Sequence, residues 1–557
     1  MLQVPTILAS MRGKWISANI AKYADLYGIV PTEQHGFKKK HSCSTAMADI
    51  LMKYHETPEG YSTYMLMIDF KNAFGTVMHT LIKSRFSKFV KCYFLRYLCG
   101  ELDNRTAVVR EKSMFSDIIK HIAVGLPQGS ALGPIGFNCM SGTITEVIKN
   151  VPGAQITLFA DDCIVLLTQP SLEEAKNATQ TIMSSISRWS DINGLVLAPA
   201  KCSYMVLGKE GNSNIEVEIK GVKHKIPQEN NIKYLGFRFD HNLCFKKQIN
   251  HLKGKLNEIR TAIINVMSVI DREKACNVAR ALIYGNLNYG AEITPIQTDK
   301  TYKDIDRMIV RIIEDIYGMR PKRNDRTSYR RAFHEAGWMN YKHLHQLCIL
   351  RFVNRILING VPNKLFTKVQ RLFYWKEGNK YFKRVKFNSG EAEAERIYKA
   401  GKGQIQTMII KDDEKNCNMS MFPYNAVPLF NELPTHIKET IGTDSFSEMI
   451  AEHFKNKCQH RVDKNPNSCT GCKIQMELDE PIEVEFTGYD INFDAVSFGA
   501  YRADTRTMKE IGNMMINVNV TVNTSIKQEK TWKQLVKVEN AIFEERENTD
   551  ALKSNKR

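Results

Sequence analysis

"LFADDCIVL", residues 158–166, sets two adjacent aspartates, Asp161 and Asp162, inside an apolar run. Any fold that buries the run must bring two like charges close to its interior. That is costly unless the carboxyls are protonated, paired or bound to a metal ion. A tight polar turn between two apolar strands meets the requirement, so 155–168 reads as a β-hairpin with the aspartates at its tip. A second apolar strand, "YMLMIDF" (64–70), delivers a lone acid, Asp69, at its end. Side by side, the two strands would gather three carboxylates that repel one another unless cations sit between them. Mg²⁺ suits such a place, because it takes one or two carboxylates together with substrate phosphates. Two such ions about 3.5–4 Å apart stabilise the attacking and leaving oxygens of an in-line phosphoryl displacement. That is the chemistry of a nucleotide polymerase or a nuclease. The plainer alternative is an aspartate-rich turn with no further role.

The rest of the chain narrows the choice. Its 557 residues allow several domains, and a net charge of +18 suits a polyanionic partner, of which nucleic acid is the commonest. A merely basic soluble protein would carry the same charge. No apolar run reaches the roughly 18–20 residues that span a bilayer. The N-terminus lacks the basic start of a signal peptide, and the 13 cysteines are mostly scattered singly. Both features fit a reducing, intracellular setting, nuclear or cytoplasmic. Residues 171–194 predict a helix, with Ser171 and Glu174 as a capping box and Gly194 closing it. Ile249, Leu252, Leu256, Ile259, Ile263 and Val266 form one apolar stripe of a later helix, with Lys246 and Lys253 off it.

Asp69 with Phe70 and Phe74, "GLPQGSALGPIGFN" (125–138), "FADD" (159–162), "GLVLAPAKC" (194–202) and "KYLGFRFD" (233–240) occur in one order. In that order and spacing they resemble the reverse transcriptase palm, and more narrowly the enzymes of non-LTR (LINE-type) retrotransposons. "EQHGFKKKHSCSTA" (33–46) resembles a further element of the same family. The resemblance runs over residues 4–455 and weakens after 240. It implies an α+β right-hand polymerase with an antiparallel-sheet palm, followed by a mostly helical C-terminal region. The expected divisions are truncated fingers over 1–60, palm over 61–240 and a basic helical thumb over 241–345. A helical region with a candidate zinc cluster would occupy 346–472, and an unassigned, partly disordered tail 473–557.

The implied activity is RNA-templated synthesis of DNA from a primer and dNTPs. Asp69, Asp161, Asp162 and Lys201 would be catalytic. The three aspartates and the Phe70 backbone carbonyl would hold two Mg²⁺ ions, with Mn²⁺ as a stand-in. Phe70, Phe74, Gln128 and Gly129 would face the nucleotide, with Phe74 against the sugar's 2′ position. Lys38, Lys233, Tyr234, Leu235, Gly236, Lys246 and Lys253 would contact nucleic acid. Cys458, His460, Cys469 and Cys472 can supply four tetrahedral Zn²⁺ ligands, although their spacing differs from the family's usual knuckle. The oligomeric state is left open.

Some residues depart from the family's pattern. Its "RPISL"-like arginine element would lie before Met1. Gly75 stands where Asp is usual, Ala198 where Asn is usual, and "FNCMSG" replaces a "YIND"-like continuation. A catalytically dead, nucleic-acid-binding remnant is therefore one rival reading. An RNA-dependent RNA polymerase is another, disfavoured by Phe74 and by "FADD" in place of "GDD". A metal-dependent nuclease would not need the "PQG" and "KYLGF" elements.

Overall fold

A computed structural model describes residues 7–90, 93–103, 110–111, 114–115, 124–126, 129–208, 215–219, 221–318, 332–333, 336–377, 380–384, 405–408 and 421–456. The chain divides into two compact units. The first is built mainly on the chain up to Lys247, the second mainly on Gln248–Gly360 and the residues from Phe366 onward.

In the first unit the two apolar runs become neighbours. Strands β1 (Ser62–Ile68), β2 (Ala154–Phe159), β3 (Asp162–Gln169) and β4 (Ser203–Leu207) form an antiparallel sheet in the order β2-β3-β1-β4. The fold is thus α+β with an antiparallel palm-type sheet, as the sequence predicts. β1 and β3 are central and buried on both faces, so they read as continuous apolar runs rather than alternating ones. Tyr64, Leu66, Ile68, Val165 and Leu167 share one core with Ile182, Ile186 and Trp189. Met65, Ile164 and Leu166 point the other way and are equally buried.

The helices of this unit include α1 (Ile7–Leu26), α2 (Cys43–His55), α3 (His79–Phe86), α4 (Gly133–Ser141) and α5 (Leu172–Ile192). α5 starts where its capping residues predict: the Glu174 N–H donates to Ser171 Oγ, which donates to Glu174 Oε1. Gly194, at φ +71°, turns the chain away. β5 (Ile215–Ile219) and β6 (Val222–Ile226) form one hairpin, β7 (Asn231–Tyr234) and β8 (Phe237–Asp240) another.

α2 carries a buried ionic cluster beneath the aspartate hairpin. Lys53 Nζ donates to Asp49 Oδ2, to the Ile156 carbonyl at 2.6 Å and to Thr157 Oγ1 at 2.8 Å. His35 Nε2 lies 3.7 Å from the same carboxylate. Burial alone would push the Asp49 carboxyl up, but Lys53 and His35 outweigh it and hold it below the ordinary range.

The second unit is led by α6 (Lys246–Val266), α7 (Arg272–Asn288), α8 (Asp299–Tyr317) and α9 (Tyr341–Asn359), with α10 (Asp444–Asn456) later. Ile249, Leu252, Leu256, Ile259 and Ile263 enter its core with residues of α7, α8 and α9. Val266 is the last residue of α6 and stays partly exposed, so the predicted stripe ends one turn early. Arg260 grips Asp315 with two hydrogen bonds. The C-terminal region, expected to be mostly helical, also holds an antiparallel sheet of β9 (Phe373–Glu377), β10 (Lys380–Arg384) and β11 (Ile405–Met408), in the order β10-β9-β11.

Lys53→Ala would strand the buried Asp49 charge. We expect the first unit to lose about 3–5 kcal/mol in urea unfolding. A Lys53→Met/Asp49→Leu pair, which removes both charges, should recover most of that loss.

Candidate active site

The register of the sheet brings the acids together. Ile68 pairs with Cys163, so Asp69 follows β1 beside the start of β3, where Asp162 stands. Phe159 pairs with Asp162, leaving Ala160 and Asp161 as the hairpin turn. Ala160 has φ +56°, a left-handed conformation that costs a non-glycine residue about 1–2 kcal/mol. The turn therefore needs outside support. Gln34, fully buried, supplies it: its Oε1 accepts from the Ala160 N–H at 2.9 Å and its Nε2 donates to the Ala160 carbonyl at 3.3 Å.

The three carboxyls influence one another. Asp162 is pushed up to about 7, first by burial and then by the charges of Asp161 and Asp69. Asp161 is also raised, by burial and by Asp69, against a lowering pull from Lys201. Asp69 Oδ1 is buried with no hydrogen-bond donor, although Lys201 Nζ lies 3.5 Å away as an ion-pair partner. Among the described residues, no group of three His, Cys, Asp or Glu side chains is arranged to hold a metal ion by itself. A buried carboxylate oxygen with only a long ion pair to Lys201, beside two carboxyls with raised pKa, is a donor set short of positive charge.

The segment 196–202 braces Asp69. The Ala198 N–H donates to the Asp69 carbonyl at 2.9 Å, and the Lys71 N–H donates to the Val196 carbonyl at 2.7 Å. Cys202 Sγ accepts from the Asp69 N–H at 3.5 Å. Phe70 is buried, its ring 5.8 Å from that of Trp189. The Lys201 side chain is 66% exposed, with its Nζ held 3.5 Å from Asp69.

Phe74 stacks on Phe137 at 4.3 Å between centroids and meets Phe37 edge-on at 6.2 Å. A ring held on two sides presents a fixed wall. The Leu126 N–H donates to the Phe74 carbonyl at 2.8 Å, and the Gly125 N–H to the Val77 carbonyl at 2.7 Å. These bonds bring Gly125 and Leu126 alongside Phe74 and Val77. Gly129 follows, exposed at φ +91°, whereas Gln128 lies outside the described residues.

The remaining candidates fall elsewhere. Leu235 and Gly236 both have positive φ and make the two-residue turn between β7 and β8. Lys233 is exposed there, but Tyr234 is buried to 1% and serves the core. Lys38 lies 3.6 Å from Asp25 and Lys253 3.2 Å from Asp304, so both already have acidic partners. Lys246 is exposed. Cys458, His460, Cys469 and Cys472 lie outside the described residues. Gln34 and Cys202 were not anticipated as site residues. The signal for Gln34 was a polar residue in the polar, basic stretch "EQHGFKKK", which only the fold shows to be buried.

An antiparallel sheet ending in clustered aspartates, with an aromatic wall beside them, defines a polymerase palm. Residues 5–239 match the family described as "Reverse transcriptase (RNA-dependent DNA polymerase)", and the relatives the chain resembles are polymerases of mobile elements. It is 23% identical over 309 residues to the "Probable RNA-directed DNA polymerase from transposon X-element" of Drosophila melanogaster, covering 54% of this chain and 34% of that protein. It is 23% identical over 282 residues to the "RNA-directed DNA polymerase from mobile element jockey" of the same species, covering 48% and 30%. The "Probable RNA-directed DNA polymerase from transposon BS", also from D. melanogaster, is 24% identical over 291 residues, covering 50% and 31%. The chain thus matches about a third of the length of each of these relatives. Among solved structures, telomerase from Candida tropicalis aligns at 12% identity and a TM-score of 0.33, covering 65% of this chain and 56% of that one. Among the described residues no helix is long and apolar enough to cross a membrane.

The raised pKa of Asp162 has a measurable consequence. A carboxyl that titrates near 7 when folded and near 4 when unfolded makes the metal-free fold lose stability as pH rises between those values. Asp162→Asn should therefore melt several degrees above the parent at pH 8 in EDTA, and the gain should shrink as pH falls and vanish below the unfolded value near 4.

Proposed function

We propose that this chain extends a DNA primer on an RNA template, using dNTPs and two Mg²⁺ ions. The observation that carries the reading is the meeting of Asp69, Asp161 and Asp162 at one end of an antiparallel sheet, with Asp162 pushed up to about 7. Asp69 and Asp161 would hold the metals with the Phe70 carbonyl, and Asp162 would be the accompanying carboxylate. When bound, the ions would supply charge to the attacking 3′-hydroxyl, the α-phosphate and the departing pyrophosphate.

The protein's own residues account for the rest. Asp69 stays in place because Ala198 and Cys202 grip its backbone. Lys201, exposed but anchored near Asp69, is suited to meet the leaving pyrophosphate with a positive charge or a proton. The Phe74 ring, backed by Phe137, would exclude a 2′-hydroxyl. Gly129 and Gln128 would line the nucleotide's other side. Lys233, Leu235 and Gly236 at the β7–β8 turn would support the primer end. By this reading residues 1–60 serve as fingers, 61–240 as palm and 241–345 as a thumb whose lysines, Lys246 among them, meet backbone phosphates.

Primer extension on an RNA template tests the reading. Purified protein with dNTPs and Mg²⁺ should add nucleotides, and Asp161→Ala/Asp162→Ala should add none while binding the duplex with the same salt sensitivity. Binding without extension by the parent chain would establish the non-catalytic alternative. Phe74→Val should raise ribonucleotide use relative to deoxyribonucleotide use by on the order of 10–100-fold. An unchanged ratio would remove Phe74 from sugar selection.

A further inference from the structure

We propose that Gln34 is a positioning residue for the metal-binding turn, holding Asp161 in place through the backbone of Ala160. The inference rests on the reading of Asp69, Asp161 and Asp162 as metal ligands.

Gln34 is 126 residues from Ala160 in sequence, yet it binds both polar groups of that residue's backbone. Its Oε1 accepts twice, from the Ala160 N–H at 2.9 Å and from the Gly36 N–H at 2.8 Å. The main chain on either side is stitched to the hairpin as well. The His35 N–H donates to the Leu158 carbonyl at 2.8 Å, and the Leu158 N–H to the Glu33 carbonyl at 2.9 Å. Residues 33–36 therefore act as a short extra strand beside the end of β2, with the Gln34 amide reaching past it to the turn.

Two further contacts fix the clamp itself. A Cβ on Gly36 would lie 2.3 Å from the Ala160 nitrogen, so only glycine lets the two backbones approach this closely. Asn138 Nδ2, on α4, donates to the Gly36 carbonyl at 2.8 Å. One line of hydrogen bonds thus runs from the helix after the "PQG" element, through Gly36 and Gln34, to the residue preceding Asp161. The left-handed Ala160 would relax without it. Its N–H would be left buried and unpaired, which the hairpin could relieve only by moving Asp161.

The geometry is specific to an amide. An apolar side chain of equal size keeps the packing and loses both hydrogen bonds. A shorter amide keeps the chemistry and falls one methylene short.

The test compares Gln34→Met and Gln34→Asn with the parent protein, and uses Ile82→Ala, a core change in α3, as a control for lost stability. Mn²⁺ binding is read from its paramagnetic resonance signal, without nucleotide or primer. Gln34→Met should weaken Mn²⁺ binding about tenfold, the size typical for losing a group that orients a metal ligand. It should also lower kcat for primer extension more than it raises KM for dNTP. Ile82→Ala should lower the melting temperature comparably and leave Mn²⁺ binding unchanged. Gln34→Asn should show the same direction in smaller measure, with faster amide exchange over 158–163, and it replaces Gln34→Met if that variant does not fold. Parental Mn²⁺ binding in both Gln34 variants, or equal weakening in Ile82→Ala, overturns the proposal. Mn²⁺ binding that Asp161→Ala leaves intact instead overturns the metal-ligand reading, and the Gln34 inference with it.

Discussion

Repulsion among Asp69, Asp161 and Asp162 is the constraint around which the first unit is arranged. Each is partly withdrawn from water, and burial together with the neighbouring charges raises both Asp161 and Asp162. Left to themselves the strand ends would splay, because separation lowers the Coulomb energy and rehydrates the carboxyls. The sheet resists. β1 and β3 pair along their whole length and bury apolar side chains on both faces, so spreading their ends would expose a core that gains about 25 cal/mol per Å² by staying dry. Hydrophobic burial thus holds like charges together, and the unmet electrostatic demand is what a metal-binding site requires.

Support comes from two directions, and each uses the polymer backbone rather than a side-chain charge. Residues 33–36 hold the Asp161 turn, and residues 196–202 hold Asp69. Bonds to the main chain position the aspartates without neutralising them, and the one cation beside them, Lys201, is largely exposed. The strong buried cation in this region, Lys53, is spent on Asp49 and on the carbonyl of Ile156, on the interior side of the hairpin. Its charge anchors β2 from below while the turn stays electronegative.

Local patterns made much of this legible. The apolar runs, the acids at their ends, the Ser171 N-cap of α5 and the α6 stripe all follow from neighbours within a few residues, and the antiparallel pairing of β1 with β3 follows from the resemblance as well as from burial. Contacts between distant segments were not legible. Nothing local to "EQHGF" says that Gln34 reaches Ala160, and nothing near Cys202 says that its sulfur accepts from Asp69. Tyr234 shows the same limit in reverse: a turn that exposes Lys233 buries the next residue, because side chains alternate along β7. The sheet at 373–408 escaped because its three strands are short and one lies across an intervening segment.

Two departures from the family's pattern are absorbed by the same backbone logic. Gly75 has no side chain, and the Asn72 side chain occupies the space a Cβ would need, with its amide nitrogen 2.3 Å from that position. Gly125 crosses close by, 2.8 Å from the Gly75 carbonyl as judged from its own missing Cβ. The chain here is packed as two glycines and an asparagine, and the strand-like bonds from Gly125 and Leu126 to Val77 and Phe74 survive. Ala198 meets Asp69 through its N–H, a bond that any residue but proline makes. Neither replacement therefore loosens Asp69 or Phe74. What a residue's side chain would have done at these two positions is done by main chain and by a neighbour, which is how a palm can depart from its family's sequence at 75 and 198 and still bring its three aspartates together.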